Sequence, residues 1–215
     1  MRGLMVLMCL SAQAGLVIGA CTASGEMWPW NGSLHSVCFS ERVHKNVFLS
    51  PDRAKRIQVA EGKGYEIIVD GRSLVWPNYG KYVVLPIEFS WSPNSDAFFV
   101  NDGEGSGLDS VLHVFRIQDS KVTEVPDVNK LVAAAFRRAV GCPATAADPT
   151  VRGIGWSKNG AQIFGFAQAT VNNPCGAQGD FRGVVLNAKT GFIEQLYSEA
   201  EARHVFRDLL PDNMR

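Results

Sequence analysis

The sequence carries a short turn motif three times, and these copies constrain the fold more than any other feature. The clearest copy is Trp91-Ser92-Pro93-Asn94, which lies between the apolar runs 87–91 and 97–100. Leu49-Ser50-Pro51-Asp52 precedes it, and Trp156-Ser157-Lys158-Asn159 follows it. Ser-Pro-Asn fits a type I turn, because proline fixes φ at about −65° and the flanking polar side chains bond the local backbone. A turn of this kind between two apolar runs predicts a β-hairpin.

Two further strand-like runs follow each hairpin. They cover residues 65–69 and 72–76 in the first copy, 111–117 and 121–125 in the second, and 183–186 and 192–196 in the third. Each copy therefore predicts about four antiparallel strands. Pro51 and Pro93 are 42 residues apart, whereas Trp91 and Trp156 are 65 apart because additional residues intervene. The shorter spacing is typical of WD-repeat propeller blades, which recur at about 40–45 residues.

The motifs also resemble a known family. The segments WSPNSDAFFV, LSPDRAKRIQVA and WSKNGAQIFGF are similar to the WD-repeat-like blades of Tol-system translocation proteins and of peptidase-associated propellers. VLNAKTGFIEQL resembles the outer hairpin of such a blade, and the resemblance covers about 150 residues, from Phe48 to Leu196. It implies propeller-like sheets. Propellers close with about 4–8 blades, whereas three copies are present here. The alternative is an ordinary antiparallel β domain with three similar turns.

Two amphipathic helices interrupt the β pattern. Residues 128–140 carry apolar side chains at helical spacing, with Asp127 placed to cap the start and Gly141 and Pro143 placed to end it. A second helix is predicted over residues 199–210.

The second helix has a clear start signal, because Ser198 and Glu201 have the spacing of a capping box. Both helices follow a complete four-strand unit, so we expect them to cover sheet edges and faces that would otherwise be exposed. The alternative is a groove or partner surface between helix and sheet. The predicted fold class is mainly β, with about three propeller-like four-stranded antiparallel sheets and two helices.

The N-terminal residues predict export. Arg2 is the only charged residue before Glu26, and an apolar run is followed by small residues, as in signal peptides. Ala12-Gln13-Ala14 is one candidate cleavage site. Ile18-Gly19-Ala20-Cys21 resembles a lipoprotein processing box, in which Cys21 would be lipidated. An uncleaved membrane anchor is the alternative, because residues 3–25 are uncharged and long enough to span a bilayer.

These signals divide the chain into a signal peptide (1–20), a tether (21–45) and a single propeller-like β domain (46–215), located in the bacterial periplasm or outer membrane. The 21 basic and 21 acidic residues give no net charge, so there is no basic excess to indicate nucleic-acid binding. Membrane contact is expected only through the N-terminal lipid or anchor.

The cysteines outside the signal region predict a disulfide between Cys142 and Cys175. Both lie in loops of a chain expected to be exported, where disulfides are stable. Cys38 is then unpaired if Cys21 is lipidated, and can pair with Cys21 if that residue is unmodified.

Two weak metal patterns are present. His35, Cys38 and His44 supply three possible ligands without the fourth that zinc sites usually have. A glycine-rich acidic loop places oxygen ligands at nearly alternate positions, as in the first half of a calcium loop: Asp102, Glu104, Ser106 and Asp109. His113 occupies the position of the final bidentate glutamate, so the calcium pattern is incomplete. The alternation of His113 with apolar residues instead indicates a core or interface histidine.

No nucleophile elbow, phosphate-binding loop or His-Glu helix motif occurs in the sequence. We therefore expect no cofactor, and a chain that is more readily a binding module than an enzyme, with a protein or envelope component as partner. One alternative is a small envelope hydrolase that uses the loops at one end of the sheets. It would require a pocket in which histidine and carboxylate groups converge. Another is a subunit that completes a propeller by oligomerising.

Overall fold

The computed structural model describes residues 35–37, 46–61, 65–74, 82–83, 87–103, 110–170, 179–210 and 214. These residues form three antiparallel sheets and two helices, so the mainly β prediction is confirmed. Each sheet is built on a meander of four sequential strands.

The strands follow the predicted hairpins closely. The first sheet contains β2 (Asn46–Leu49), β3 (Arg56–Glu61), β4 (Tyr65–Val69) and β5 (Arg72–Ser73). The second sheet contains β7 (Ile87–Trp91), β8 (Ala97–Asp102), β9 (Val111–Gln118) and β10 (Lys121–Glu124). The third sheet contains β11 (Thr150–Trp156), β12 (Gln162–Gln168), β13 (Phe181–Asn187) and β14 (Ile193–Tyr197). Two short strands extend this pattern: β1 (His35–Val37) pairs with β7, and β6 (Tyr82–Val83) pairs with β4.

The three repeated turns have the same geometry. In each copy the serine Oγ accepts a hydrogen bond from the backbone N–H five residues later, over 2.9–3.0 Å. The backbone of the same serine bonds the carbonyl of that later residue. The residue three positions after this serine has a left-handed backbone in every copy, with φ of 60° at Arg53, 62° at Ser95 and 70° at Gly160. The turns are therefore structural equivalents, and each closes a hairpin as predicted.

The turns of neighbouring sheets also touch one another. The N–H of Asp52 donates to Ser95 Oγ over 3.1 Å, which joins the first turn to the second. Gly160 lies so close to the second turn that a Cβ there would be 2.7 Å from Asn94 Oδ1. The three hairpin tips consequently form one row, with the second turn in the middle.

The sheets stack face to face around three apolar clusters. One cluster lies between the first and second sheets and contains Trp91, whose ring contacts Phe98 at a tilt, with ring centroids 5.4 Å apart and planes 59° apart. The next joins the second sheet, the third sheet and helix α1 (Val128–Ala139). The last lies between the third sheet and helix α2 (Glu199–Val205). Trp91 is 7% exposed and is therefore buried beside the turn.

Helix α1 begins differently from the prediction. Asp127 occupies the N-cap position, but its backbone is left-handed and its side chain accepts no capping hydrogen bond, so the predicted cap is wrong. The Asp127 carboxylate instead accepts a hydrogen bond from Lys130 Nζ, 2.9 Å away. The helix ends as expected. Gly141 has φ of 72°, and the N–H groups of residues 141 and 142 bond the carbonyls of Arg138 and Arg137, which is a Schellman motif.

Helix α2 begins with the predicted capping box. Ser198 Oγ accepts from the N–H of Glu201, and the Glu201 carboxylate accepts from the N–H of Ser198. The α-helix is shorter than predicted, because residues 206–209 form turns after Val205. It covers the outer face of the third sheet, where Gly183 permits close contact: a Cβ there would lie 2.7 Å from both Ala202 and Phe206.

Candidate functional site

A cavity of about 380 Å³ lies at the outer edge of the second sheet. Its walls are the first half of β9, the end of β10 and the first turn of α1. Five apolar residues and five polar residues line it: Val111, Leu112, Val125, Pro126 and Val128, with His113, Glu124, Asp127, Asn129 and Lys130. Half of the lining residues are polar, whereas small-ligand sites are lined mostly by apolar residues, but the volume falls in the range of such sites, which begins at about 300 Å³.

The cavity exists because β10 ends before it has covered β9. After Glu124 the chain leaves the sheet, and among the described residues no strand pairs with that edge of β9 near Leu112. Asn129 of α1 takes that place: its Oδ1 accepts from the N–H of Leu112 over 2.9 Å, and its Nδ2 donates to the Leu112 carbonyl over 2.6 Å. One side chain thus pairs the backbone of β9 as a strand would, and it holds the start of α1 against the sheet.

An imidazole and a carboxylate meet at one wall of this cavity. His113 Nδ1 lies 2.7 Å from Glu124 Oε1, so the ring donates a hydrogen bond to the carboxylate. The two side chains are 9% and 24% exposed. The ring also stacks on Phe115, with centroids 6.3 Å apart and planes 20° apart. His113 is thus held in one orientation from two sides. The predicted core histidine is buried, and it also faces the cavity.

His113 and Glu124 correspond to two of the three members of a catalytic triad, the imidazole base and the carboxylate that orients it. None of the ten lining residues is serine, threonine or cysteine. The carbonyl of Ser110, the nearest serine in sequence, accepts a hydrogen bond from the N–H of Val151 on β11 of the third sheet. His113 packs on the opposite side with Phe115, because side chains alternate along β9. The geometry fits ligand binding, and it also fits activation of a water molecule by His113.

An exposed ion pair at the mouth of the cavity contributes little to the stability of the fold. Lys130 Nζ and Asp127 Oδ1 are 2.9 Å apart, but their side chains are 84% and 57% exposed. Exposed pairs of this kind contribute about 0–1 kcal/mol. Both side chains can consequently turn toward a ligand at small cost.

A second polar group, which sequence reasoning missed, lies buried between the second and third sheets. Glu88 forms an ion pair with Arg152, and its Oε2 accepts a hydrogen bond from Asn101 Nδ2 over 3.1 Å. Asn101 also bonds both the N–H and the carbonyl of Gly153, over 2.8 and 2.9 Å. A charged residue inside an apolar run, such as Glu88 within 87–91, was the available signal. This group joins two sheets and covers the inner edge of β11.

Among the described residues, three carboxyl groups have clearly lowered pKa values, and all three are exposed. The Ser50 hydroxyl and then the Ala54 N–H lower the pKa of Asp52, which fixes the first turn. The Ser198 hydroxyl and N–H lower the pKa of Glu201 in the capping box. The amides of Gln162 and then Asn187 lower the pKa of Glu194 on the third sheet. In each case hydrogen bonds to the charged form favour ionisation.

The predicted cation loop is only partly within the described residues. Asp102 ends β8 and is buried. Glu104, Ser106 and Asp109 lie outside the described residues, as do the side chain of His35 and all of Cys38 and His44. In the described ranges, no group of three or more histidine, cysteine or carboxylate side chains is placed to hold a metal ion.

Only one cysteine of the predicted disulfide lies within the described residues. Cys142 is disulfide-bonded, whereas Cys175 and the lipidation candidate Cys21 lie outside the described residues. The pairing of Cys142 with Cys175 therefore stays a prediction, which a non-reduced peptide map would check.

Neither helix of the described part is long and apolar enough to cross a membrane.

Comparison with known proteins gave no family. No protein-family model matches the sequence, and no curated protein matches it significantly.

Proposed function

We propose that the chain is an exported module of the bacterial cell envelope that binds a protein or an envelope component without converting it chemically. The observation that carries this proposal is the cavity beside His113, which combines five apolar residues with a fixed imidazole–carboxylate pair. Such a site buries part of a ligand and orients it with a few polar contacts.

The cysteine chemistry supports export. A disulfide at Cys142 is stable in an oxidising compartment such as the periplasm, and such bonds are rare in the cytosol. The signal peptide, the lipidation of Cys21 and the location in the periplasm or outer membrane belong to the same proposal.

The propeller relationship is also part of the proposal. Three meanders with equivalent turns are what WD-repeat-like blades would give. Helix α2 nevertheless covers the outer face of the third sheet, where the next blade of a ring would pack. Completion of a propeller by a second copy would require this helix to move, so we favour an open stack of sheets over an oligomeric ring.

The experiment uses the tagged full chain to capture a partner from native envelopes, followed by affinity measurements with the purified partner. Val111→Phe fills the cavity and is expected to weaken binding about tenfold or more. Lys121→Glu places a charge change on β10, at the end away from the cavity, and should leave binding unchanged. Equal affinity of wild type and Val111→Phe would contradict a binding role for the cavity.

A small hydrolase is the second candidate, because the His113–Glu124 pair is the convergent histidine and carboxylate that it requires. Here His113 would activate water and Glu124 would orient the ring. Hydrolysis of p-nitrophenyl esters by the full chain, lost in His113→Gln, would favour this candidate. Turnover that persists in that variant would count against it.

A further inference from the structure

Phe192 is the most exposed large apolar side chain in the described part of the chain, at 63%. It follows a tight turn between β13 and β14 that is fixed by Asn187. Asn187 Oδ1 accepts from the N–H groups of Lys189 and Thr190, over 3.0 and 3.1 Å. The Asn187 backbone accepts from the N–H of Gly191 and donates to the carbonyl of Phe192. An aromatic ring exposed on so rigid a turn loses little backbone entropy when a partner binds it.

A carboxylate two residues later is fixed just as firmly. Glu194 Oε2 accepts from Gln162 Nε2 over 2.7 Å, and Oε1 accepts from Asn187 Nδ2 over 2.8 Å. These amides lower the pKa of Glu194, so the group is ionised at neutral pH. Within the described part of the chain, Glu194 forms no salt bridge. The structure thus orients a negative charge and leaves it without a counter-charge.

The ring and the carboxylate lie on the same side of the third sheet. Ile193, which stands between them, packs inward near Leu186. The register of β13 and β14 shifts at Glu194, but its partners Gln162 and Asn187 alternate with the inward-facing Ile163 and Leu186, so Glu194 lies on the outer side that α2 partly covers. Phe192 precedes the inward-facing Ile193 and is exposed on that outer side. Residues two apart in a chain are separated by at most about 7 Å. A single long cationic side chain can therefore contact both.

We propose that this surface, formed by Phe192, Glu194, Gln162 and Asn187 and called the Phe192 patch, binds a basic, arginine-containing segment of a partner protein. A guanidinium can stack on an aromatic ring and donate to a carboxylate at the same time, which a lysine ammonium does less well. The patch is anionic and apolar, which disfavours an acidic partner. Gly191, which precedes Phe192, packs against Val125 and Val128 of the cavity wall, but none of the four patch residues lines the cavity. The inference therefore does not depend on the proposed function.

The test is an NMR titration of the isotope-labelled full chain with tetra-arginine amide, tetra-lysine amide and tetra-glutamate amide. The arginine peptide is expected to shift the amide signals of residues 187–196 saturably, with weaker binding at high salt. The lysine peptide should bind more weakly, and the glutamate peptide should not bind.

Two variants connect the shifts to the patch. Phe192→Ser removes the ring, and Glu194→Gln removes the charge while keeping the shape. Each is expected to weaken arginine-peptide binding roughly two- to fivefold, the size of an exposed cation–π or charge contact. Val205→Ser and Asp208→Asn remove an exposed apolar side chain and an exposed carboxylate elsewhere, and should leave binding unchanged.

Several outcomes would overturn the proposal. They are absence of saturable shifts with tetra-arginine, shifts unaffected by either patch variant, and equal binding of the glutamate peptide. Self-association that is abolished by Phe192→Ser, measured by light scattering, would assign the patch to a second copy of the chain instead. Binding of phosphatidylglycerol vesicles through Phe192, without peptide binding, would assign it to a membrane surface.

Discussion

Replacement of Asn101 by alanine should destabilise the fold more than any other single change to a polar side chain described above. Asn101 is 2% exposed and belongs to β8 of the second sheet. Its amide makes three hydrogen bonds, two to the backbone of Gly153 and one to Glu88. The two bonds to Gly153 join sheets whose residues are 52 positions apart in sequence.

The magnitude follows from what the substitution leaves behind. A neutral hydrogen bond contributes about 1 kcal/mol net, a bond to a charged group about 1.5–3 kcal/mol, and a buried group left unsatisfied costs about 1–3 kcal/mol. Asn101→Ala leaves the N–H and carbonyl of Gly153 without their partner, and it removes one donor from the Glu88 carboxylate. We therefore expect a loss of about 3–5 kcal/mol in the free energy of unfolding. For a chain of this size that corresponds to a decrease of about 10 °C in Tm.

The assay is urea denaturation followed by tryptophan fluorescence, with m-values compared to confirm that the same surface unfolds. Asn101→Leu is the matched variant, because it removes the hydrogen bonds without leaving a cavity. Asn129→Ala removes the two bonds to Leu112 at the half-buried edge of β9 and should cost only about 1–2 kcal/mol, since water can reach that edge.

Two results would refute the reasoning. A loss below 1 kcal/mol for Asn101→Ala would mean that the exposed backbone groups find other partners. A stable Asn101→Leu variant would show that volume, and not hydrogen bonding, determines what this position requires.

Trp91→Ala should cost about 3–5 kcal/mol by the same assay, since a large buried ring is removed from the first apolar cluster, and a loss below 1 kcal/mol would mean that the ring packs poorly. Gly160→Ala should destabilise more than Gly141→Ala, although both have positive φ, because only Gly160 lies against the neighbouring turn. Equal Tm shifts would remove the argument that the turns support one another. Glu201→Gln should lower stability at pH 7, and its difference from wild type should shrink as the pH falls through the lowered pKa of the folded chain. The pKa of Glu201 is lowered in the folded chain, so its contribution is present above the ordinary glutamate pKa of about 4.3 and is lost as the pH falls. A wild-type advantage that persists in acid would contradict this.

The sequence alone predicted what depends on neighbours in the chain. Each repeated turn is closed by a serine and a residue five positions later, so its hydrogen bonds are encoded within one short segment. The hairpins, the capping box at Ser198 and the end of α1 at Gly141 belong to the same class. The exception was Asp127, whose carboxylate met Lys130 instead of the helix backbone, and residue type alone could not distinguish these two local partners.

Only the tertiary structure decided which distant groups meet. Glu88 and Arg152 are 64 residues apart, and the imidazole of His113 finds a carboxylate on the next strand only because β9 and β10 pair in one register. Asn129 reaches the edge of β9 because α1 packs across two sheets at once. These contacts depend on the packing of whole sheets, and a polar side chain in the sequence carries no sign of which backbone it will meet. The cavity beside His113 and the Phe192 patch both arise in this way, from elements whose local structure was predictable and whose arrangement was not.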